Sequence, residues 1–134
     1  MSTQPRQVRV LLVEDNPHVA ELLTDGFEYA SRKELAGKAT FEFDICQDGQ
    51  TALTHLTDHP PDLIILDLYL PIMDGATFLR HLRAHPRVAT TPVIALSAGG
   101  PGAREMALEA GANIFFDKPI RLAEVLRAAT QLLS

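Results

Sequence analysis

Several things are missing from these 134 residues, and each absence narrows the possibilities. There is one cysteine, Cys46, so no internal disulfide can form; its strand-like neighbours predict a buried thiol in a reducing compartment. No apolar run reaches the roughly 18 residues a membrane span needs, and no signal-peptide core follows Met1. A cytoplasmic chain with no membrane partner is expected. Positive charge is scarce: 12 Lys and Arg against 17 Asp and Glu give a net charge of −5, which argues against direct nucleic-acid binding. Gly-x-x-x-x-Gly-Lys-[Ser/Thr] is absent, which excludes a P-loop nucleotide hydrolase. The first strand ends on Glu14-Asp15-Asn16-Pro17 where a dinucleotide-binding turn would be glycine-rich. Internal repeats, linkers and low-complexity segments are lacking too.

What is present is one domain's length with 46% hydrophobic residues, enough for a sizeable core. The polar segment 1–7 is expected to fray, leaving 8–134 as the domain. Strand 1 is read from Val8 to Val13. Asn16 and Pro17 suit the start of a helix carried by Val19, Leu22, Leu23, Phe27 and Ala30. Its end is expected near Ala36, with Gly37 as terminator; residues 31–40 are polar and less periodic. Phe41, Phe43 and Ile45 alternate with acids as strand 2. Asp48-Gly49 opens helix 2, and His59-Pro60-Pro61 stops it.

Leu63-Ile64-Ile65-Leu66 reads as a strand buried on both faces, ending on Asp67. Pro71 and Asp74-Gly75 then start helix 3, to about Ala84. Val93–Ser97 is strand 4, followed by the loop Gly99-Gly100-Pro101-Gly102, helix 4 over Ala103–Ala110 and Gly111 as its terminator. Ile114-Phe115-Phe116 is strand 5, and Leu122 to Leu133 is helix 5. Strict alternation implies an α/β fold with a parallel sheet and helices on both faces. Five strands suit the flavodoxin-like order 2-1-3-4-5.

That order places Glu14, Asp15 and Asp67 together where ligands sit, with Ser97 and Lys118 on the next strand ends. Taken singly, each is more often a capping or solvated residue; their joint placement favours function. A pair of carboxylates about 4 Å apart repels by about 4 kcal/mol at an effective dielectric near 20. The cluster must protonate or bind a cation, and oxygen-only ligands with room for water and phosphate oxygens suit Mg²⁺. No His or Cys recruits zinc, and His18 is expected on the exposed first turn of helix 1. A cation makes Asp67 approachable by a phosphoryl group, which a carboxylate can accept, while Lys118 and Ser97 would neutralise and orient the added oxygens.

Four stretches, Leu-Val-Glu14-Asp15-Asn, Leu66-Asp67-Leu-Tyr-Leu-Pro71-Ile-Met73-Asp74-Gly75, Ala-Leu-Ser97-Ala98 and Asp-Lys118-Pro119, resemble the receiver domain of two-component response regulators. The resemblance spans about Val8 to Leu133. It implies Asp67 as phosphoacceptor; Asp15, Glu14, Asp67 and the backbone carbonyl of Tyr69 as the Mg²⁺ set; and Ser97, Ala98 and Lys118 as phosphoryl-binding residues. It further implies Ser97 and Phe115 as the switch pair, Phe115 swinging into space that a moving Ser97 loop vacates, and a cis bond before Pro119. The expected partners are a sensor histidine kinase or histidine phosphotransfer protein, and an output partner or second copy on the face of helix 4, strand 5 and helix 5. The chain is then a signalling switch, not an enzyme, standing alone or as the receiver of a hybrid kinase or DNA-binding regulator. An aspartyl-phosphate hydrolase would carry a second Asp where Tyr69 stands, so it is disfavoured. A phosphorylation-independent interaction module is the remaining rival.

Overall fold

The computed structural model describes residues 6–33 and 38–134. Five strands and five helices alternate: β1 (Arg6–Val13), α1 (Pro17–Lys33), β2 (Ala39–Cys46), α2 (Gly49–Asp58), β3 (Leu63–Asp67), α3 (Gly75–Ala84), β4 (Val93–Ser97), α4 (Ala103–Ala110), β5 (Ile114–Asp117) and α5 (Leu122–Leu133). The strands form one parallel sheet in the order β2-β1-β3-β4-β5.

Central strands in such a sheet have helices above and below, so both of their faces must be apolar. Every residue of β3 and β4 is buried. Alternate side chains divide between two cores. Leu11, Val13, Ile64, Leu66, Val93 and Ala95 pack with Leu56, Phe78, Leu79, Leu82 and Ala107 under α2, α3 and α4. Val8, Val10, Leu12, Leu63, Ile65, Ile94 and Leu96 pack with Leu23, Phe27, Val125 and Ala129 under α1 and α5. Phe27 meets Phe41 and Phe43 edge-on, with ring centroids 5.0 and 5.4 Å apart, which ties edge strand β2 to α1.

The helix starts follow their caps. Asp48 accepts a hydrogen bond from the Thr51 N–H at 2.7 Å, and Asp74 from the Thr77 N–H at 2.8 Å. The bond from Thr77 holds the Asp74 carboxyl below its ordinary pKa. Gly111 ends α4 in the left-handed region, at φ 119°.

Four expectations need correction or restriction. Arg6 and Gln7 belong to β1 rather than to a frayed tail, because Arg6 pairs with Ala39 and its guanidinium donates to the Leu133 carbonyl at 2.7 Å; residues 1–5 lie outside the described residues. Leu22 is 47% exposed, because the buried stripe of α1 runs through Ala20, Leu23, Phe27 and Ala30, about one hundred degrees around the helix. Ile45 is likewise exposed at the end of the edge strand. The expected helix end at Ala36 and Gly37 falls outside the described residues; α1 is helical to Lys33, and the Ser31 hydroxyl donates to the Ala39 carbonyl.

Candidate functional site

Three strand ends build the acidic half of the site. Ladder-type backbone bonds continue just past the strands and fix the chain there: Glu14 N–H to the Cys46 carbonyl at 3.0 Å, Leu68 N–H to the Leu96 carbonyl at 2.9 Å and Lys118 N–H to the Ser97 carbonyl at 2.8 Å. Carboxylate oxygens of Glu14, Asp15 and Asp67 all lie within 4.8 Å of one another. Asp15 is exposed, whereas Glu14 and Asp67 are buried. The Lys118 ammonium stands between the two buried acids, 2.7 Å from Glu14 Oε1 and 3.3 Å from Asp67 Oδ2. Asp67 Oδ1 accepts the Tyr69 N–H at 3.1 Å.

One ammonium does not balance three carboxylates. Burial pushes the Glu14 carboxyl up to about 7, the Asp67 charge adds to the rise, and Lys118 opposes it. Burial alone would lower the Lys118 ammonium; the two acids outweigh it and hold its pKa above the ordinary value. Glu14 Oε2 is buried with no hydrogen-bond partner among the described residues. An orphaned buried oxygen beside an all-oxygen donor set fits a hard divalent cation.

The second half of the site is uncharged. Ser97 is fully buried, and its Oγ accepts the Gly99 N–H at 2.9 Å. Ala98 is exposed. Phe115 is 3% exposed and already packed inward among Ala103, Ala107 and Ala112, with the Arg104 guanidinium 5.4 Å over its ring. The ring is thus inward with the loop where it stands, the position in which the expected swing would end. The Lys118–Pro119 peptide is cis. His18 lies on the exposed first turn of α1, away from the acidic cluster's donor set.

Sequence reasoning passed over three features. Tyr69, weighed there only for its carbonyl and as the place of a missing second Asp, lays its ring against Gly99. Ile72, 84% exposed, adopts φ 70°, a left-handed conformation costing about 1–2 kcal/mol in a branched residue, where the Met73 N–H turns back to the Pro71 carbonyl at 2.7 Å. Arg83 donates to the carbonyls of Ala89, Thr91 and Gly111 and to Asn113 Oδ1, at 2.6–3.0 Å, pinning the C-terminal end of α4 to α3. Positive φ at a branched residue and a guanidinium shared by separate carbonyls carry no local sequence signature.

Comparison with known proteins agrees with this arrangement. Residues 10–130 match the family model described as response regulator receiver domain. The chain is 36% identical over 134 residues to transcriptional regulatory protein PrrA of Mycobacterium tuberculosis, covering 99% of this chain and 53% of that protein. The chain thus spans about half the length of this curated relative. Among solved structures, one described as a response regulator from Chloroflexus aurantiacus superimposes with a TM-score of 0.85 at 29% identity, covering 96% of this chain and 98% of that one. The receiver domain of the sensor histidine kinase PA1611 of Pseudomonas aeruginosa, solved with magnesium in its active-site cleft, gives a TM-score of 0.81 at 29% identity, covering 95% and 98%.

Proposed function

The chain belongs to the response regulator receiver domain family, and from that premise we propose that it accepts a phosphoryl group on Asp67 and relays the event through the β4–α4 loop. The donor is the phosphohistidine of a sensor kinase or of a histidine phosphotransfer protein. A carboxylate oxygen of Asp67 bonds to phosphorus, the bond from phosphorus to the donor's imidazole nitrogen breaks, and the electron pair returns to that nitrogen. The chain is the acceptor in this reaction rather than a catalyst with a substrate of its own.

One observation carries this reading: Lys118 Nζ reaches both Glu14 and Asp67 at a strand edge where three carboxylates converge. Glu14, Asp15, Asp67 and the Tyr69 carbonyl would hold Mg²⁺, as the magnesium in the PA1611 cleft supports. Bound there, Mg²⁺ supplies the positive charge that lets a phosphoryl group approach the acids. Lys118 holds the acceptor carboxylate in place and offsets the charge of an added oxygen. The Ser97 hydroxyl, one strand away, turns from Gly99 to donate to a phosphoryl oxygen. Ala98 and the glycines after it follow, and the displacement reaches the α4–β5–α5 face, where an output partner or a second copy docks. Phe115 stays inward and is the packed surface over which the loop moves. Within a longer protein this unit would serve a hybrid kinase or a DNA-binding regulator, in keeping with the half-length match to PrrA.

Mass spectrometry after treatment with acetyl phosphate and Mg²⁺ tests the assignment and separates it from an interaction module that works unphosphorylated. A phosphoryl adduct is expected on the parent chain and lost in Asp67→Asn. Equal labelling of both would remove Asp67 from the role.

A further inference from the structure

We propose that the Tyr69 ring is a latch on the β4–α4 loop: resting on Gly99, it holds the loop and the Ser97 hydroxyl in the unphosphorylated arrangement, and it leaves when the phosphoryl group arrives. This inference deepens the phosphoacceptor reading and rests on it.

The three glycines of the loop differ in a way that exposes the latch. Gly100 and Gly102 have φ of 68° and 86°, and nothing lies within 4 Å of where a Cβ would be. Their backbone requires glycine. Gly99 is the reverse: its φ lies outside the left-handed range, but a Cβ there would overlap Tyr69 Cε2 and Oη and lie 2.5 Å from Cζ. The ring, not a backbone constraint, occupies the space a side chain at 99 would take.

Both partners are bonded to the residues whose positions matter. The Tyr69 N–H donates to Asp67 Oδ1 at 3.1 Å, and the Gly99 N–H donates to Ser97 Oγ at 2.9 Å. Ring on glycine therefore joins the residue two beyond the acceptor to the residue two beyond the hydroxyl. Other restraints on the loop are weak. No side chain caps α4, and the Ala103 N–H reaches the Gly100 carbonyl at a long 3.3 Å. The ring also has somewhere to go. It is 54% exposed, and it lines a surface cavity of about 300 Å³ with Leu68, Ala76, Arg80 and Met106, so it can leave Gly99 without opening either core.

Two variants release the latch by opposite means. Tyr69→Ala removes the ring; Gly99→Ala adds the methyl that displaces it. Tyr69→Phe keeps the contact. In the unphosphorylated, metal-free protein, hydrogen exchange at the Gly99, Gly100, Gly102 and Ala103 amides is expected to quicken about fivefold in both alanine variants, the loss of one aromatic contact, and to stay at the parental rate in Tyr69→Phe. The double variant should exchange no faster than either single one. The second arm reads the ring itself. The chain has two tyrosines and no tryptophan, so in a Tyr29→Phe background the intrinsic emission reports Tyr69. Beryllofluoride with Mg²⁺ should change that emission, and should leave it unchanged once Gly99→Ala is added. Parental exchange rates in Tyr69→Ala would overturn the latch whatever beryllofluoride does. Beryllofluoride bound, as seen by native mass spectrometry, with Tyr69 emission constant would overturn its release. Quickened exchange with no beryllofluoride bound would instead strike at the phosphoacceptor reading, and the release would fall with it.

Discussion

Two loops leave the same edge of the sheet from neighbouring strands, and they are built differently. The one after β3 is overdetermined. The Gly75 N–H returns to the Leu68 carbonyl at 2.8 Å, Asp74 caps α3, and Pro71 stiffens the turn. The one after β4 has two glycines at positive φ and leads into a helix with no side-chain cap. Asp67, the proposed acceptor, sits at the root of the first, and Ser97, the proposed responder, at the root of the second. The proposed phosphoryl transfer needs Asp67, Glu14 and Lys118 held still, since misplacement by about an ångström is costly in rate. A switch needs a segment with two arrangements close in free energy. The molecule keeps these demands apart by assigning them to different strands.

The largest expected effect probes the stiff, charged side. Glu14 has a folded pKa of about 7 against an ordinary 4.5, so its charged form is disfavoured in the folded protein. The metal-free protein binds more protons folded than unfolded between these values; stability therefore falls as pH rises through that window, by a total on the order of 3 kcal/mol. Denaturant melts at pH 5 and pH 8 without metal should show the fall in the parent and a flatter profile in Glu14→Gln.

Next comes one substitution made on both loops. A Cβ at Gly75 would lie 2.6 Å from the Leu68 Cα and 3.0 Å from the Asp67 carbonyl, both backbone atoms that cannot step aside. Gly75→Ala should cost about 2–3 kcal/mol. At Gly100 no atom is near and only the left-handed φ of 68° resists, so Gly100→Ala should cost about 1 kcal/mol. Equal melting shifts for the two would erase the contrast. The smallest effect is Asp74→Ala, which forfeits the cap of α3 for roughly 1 kcal/mol or less, and only above the lowered pKa of the Asp74 carboxyl. Protonation on lowering the pH through that folded value should remove the capping advantage from the parent, so the two chains converge in acid.

Much of the site could be read from the chain because it is built of strand ends. Buried apolar runs locate β1, β3 and β4; the residue that ends each run is displayed at the sheet edge, and strand order brings Glu14, Asp15, Asp67 and Lys118 together, with Ser97 on the end of the neighbouring strand. Helix boundaries at Gly75, Ala84, Ala103 and Ala110 were equally legible, since Asp74, His85-Pro86 and glycines mark them. What escaped depends on contacts between elements. The inward Phe115 becomes visible only when the fold brings Ala103, Ala107 and Ala112 into the same buried cluster. Leu22 follows helical spacing well enough to join the stripe, yet α1 is rotated so that Leu23 and Phe27 take the core. Gly99 looked like one more flexible residue beside Gly100 and Gly102, and the Tyr69 ring distinguishes it.

The measurement that goes most directly to the central claim is backbone chemical-shift mapping of the protein with Mg²⁺, before and after beryllofluoride. Ser97 through Gly102 and the first turn of α4, Arg104 included, should move, together with the proposed Mg²⁺ ligands Glu14, Asp15 and Asp67. The β3–α3 segment from Pro71 to Gly75 should stay close to its starting shifts. Changes confined to the acidic residues, with the β4–α4 loop and α4 silent, would contradict the division between a fixed acceptor side and a moving responder side.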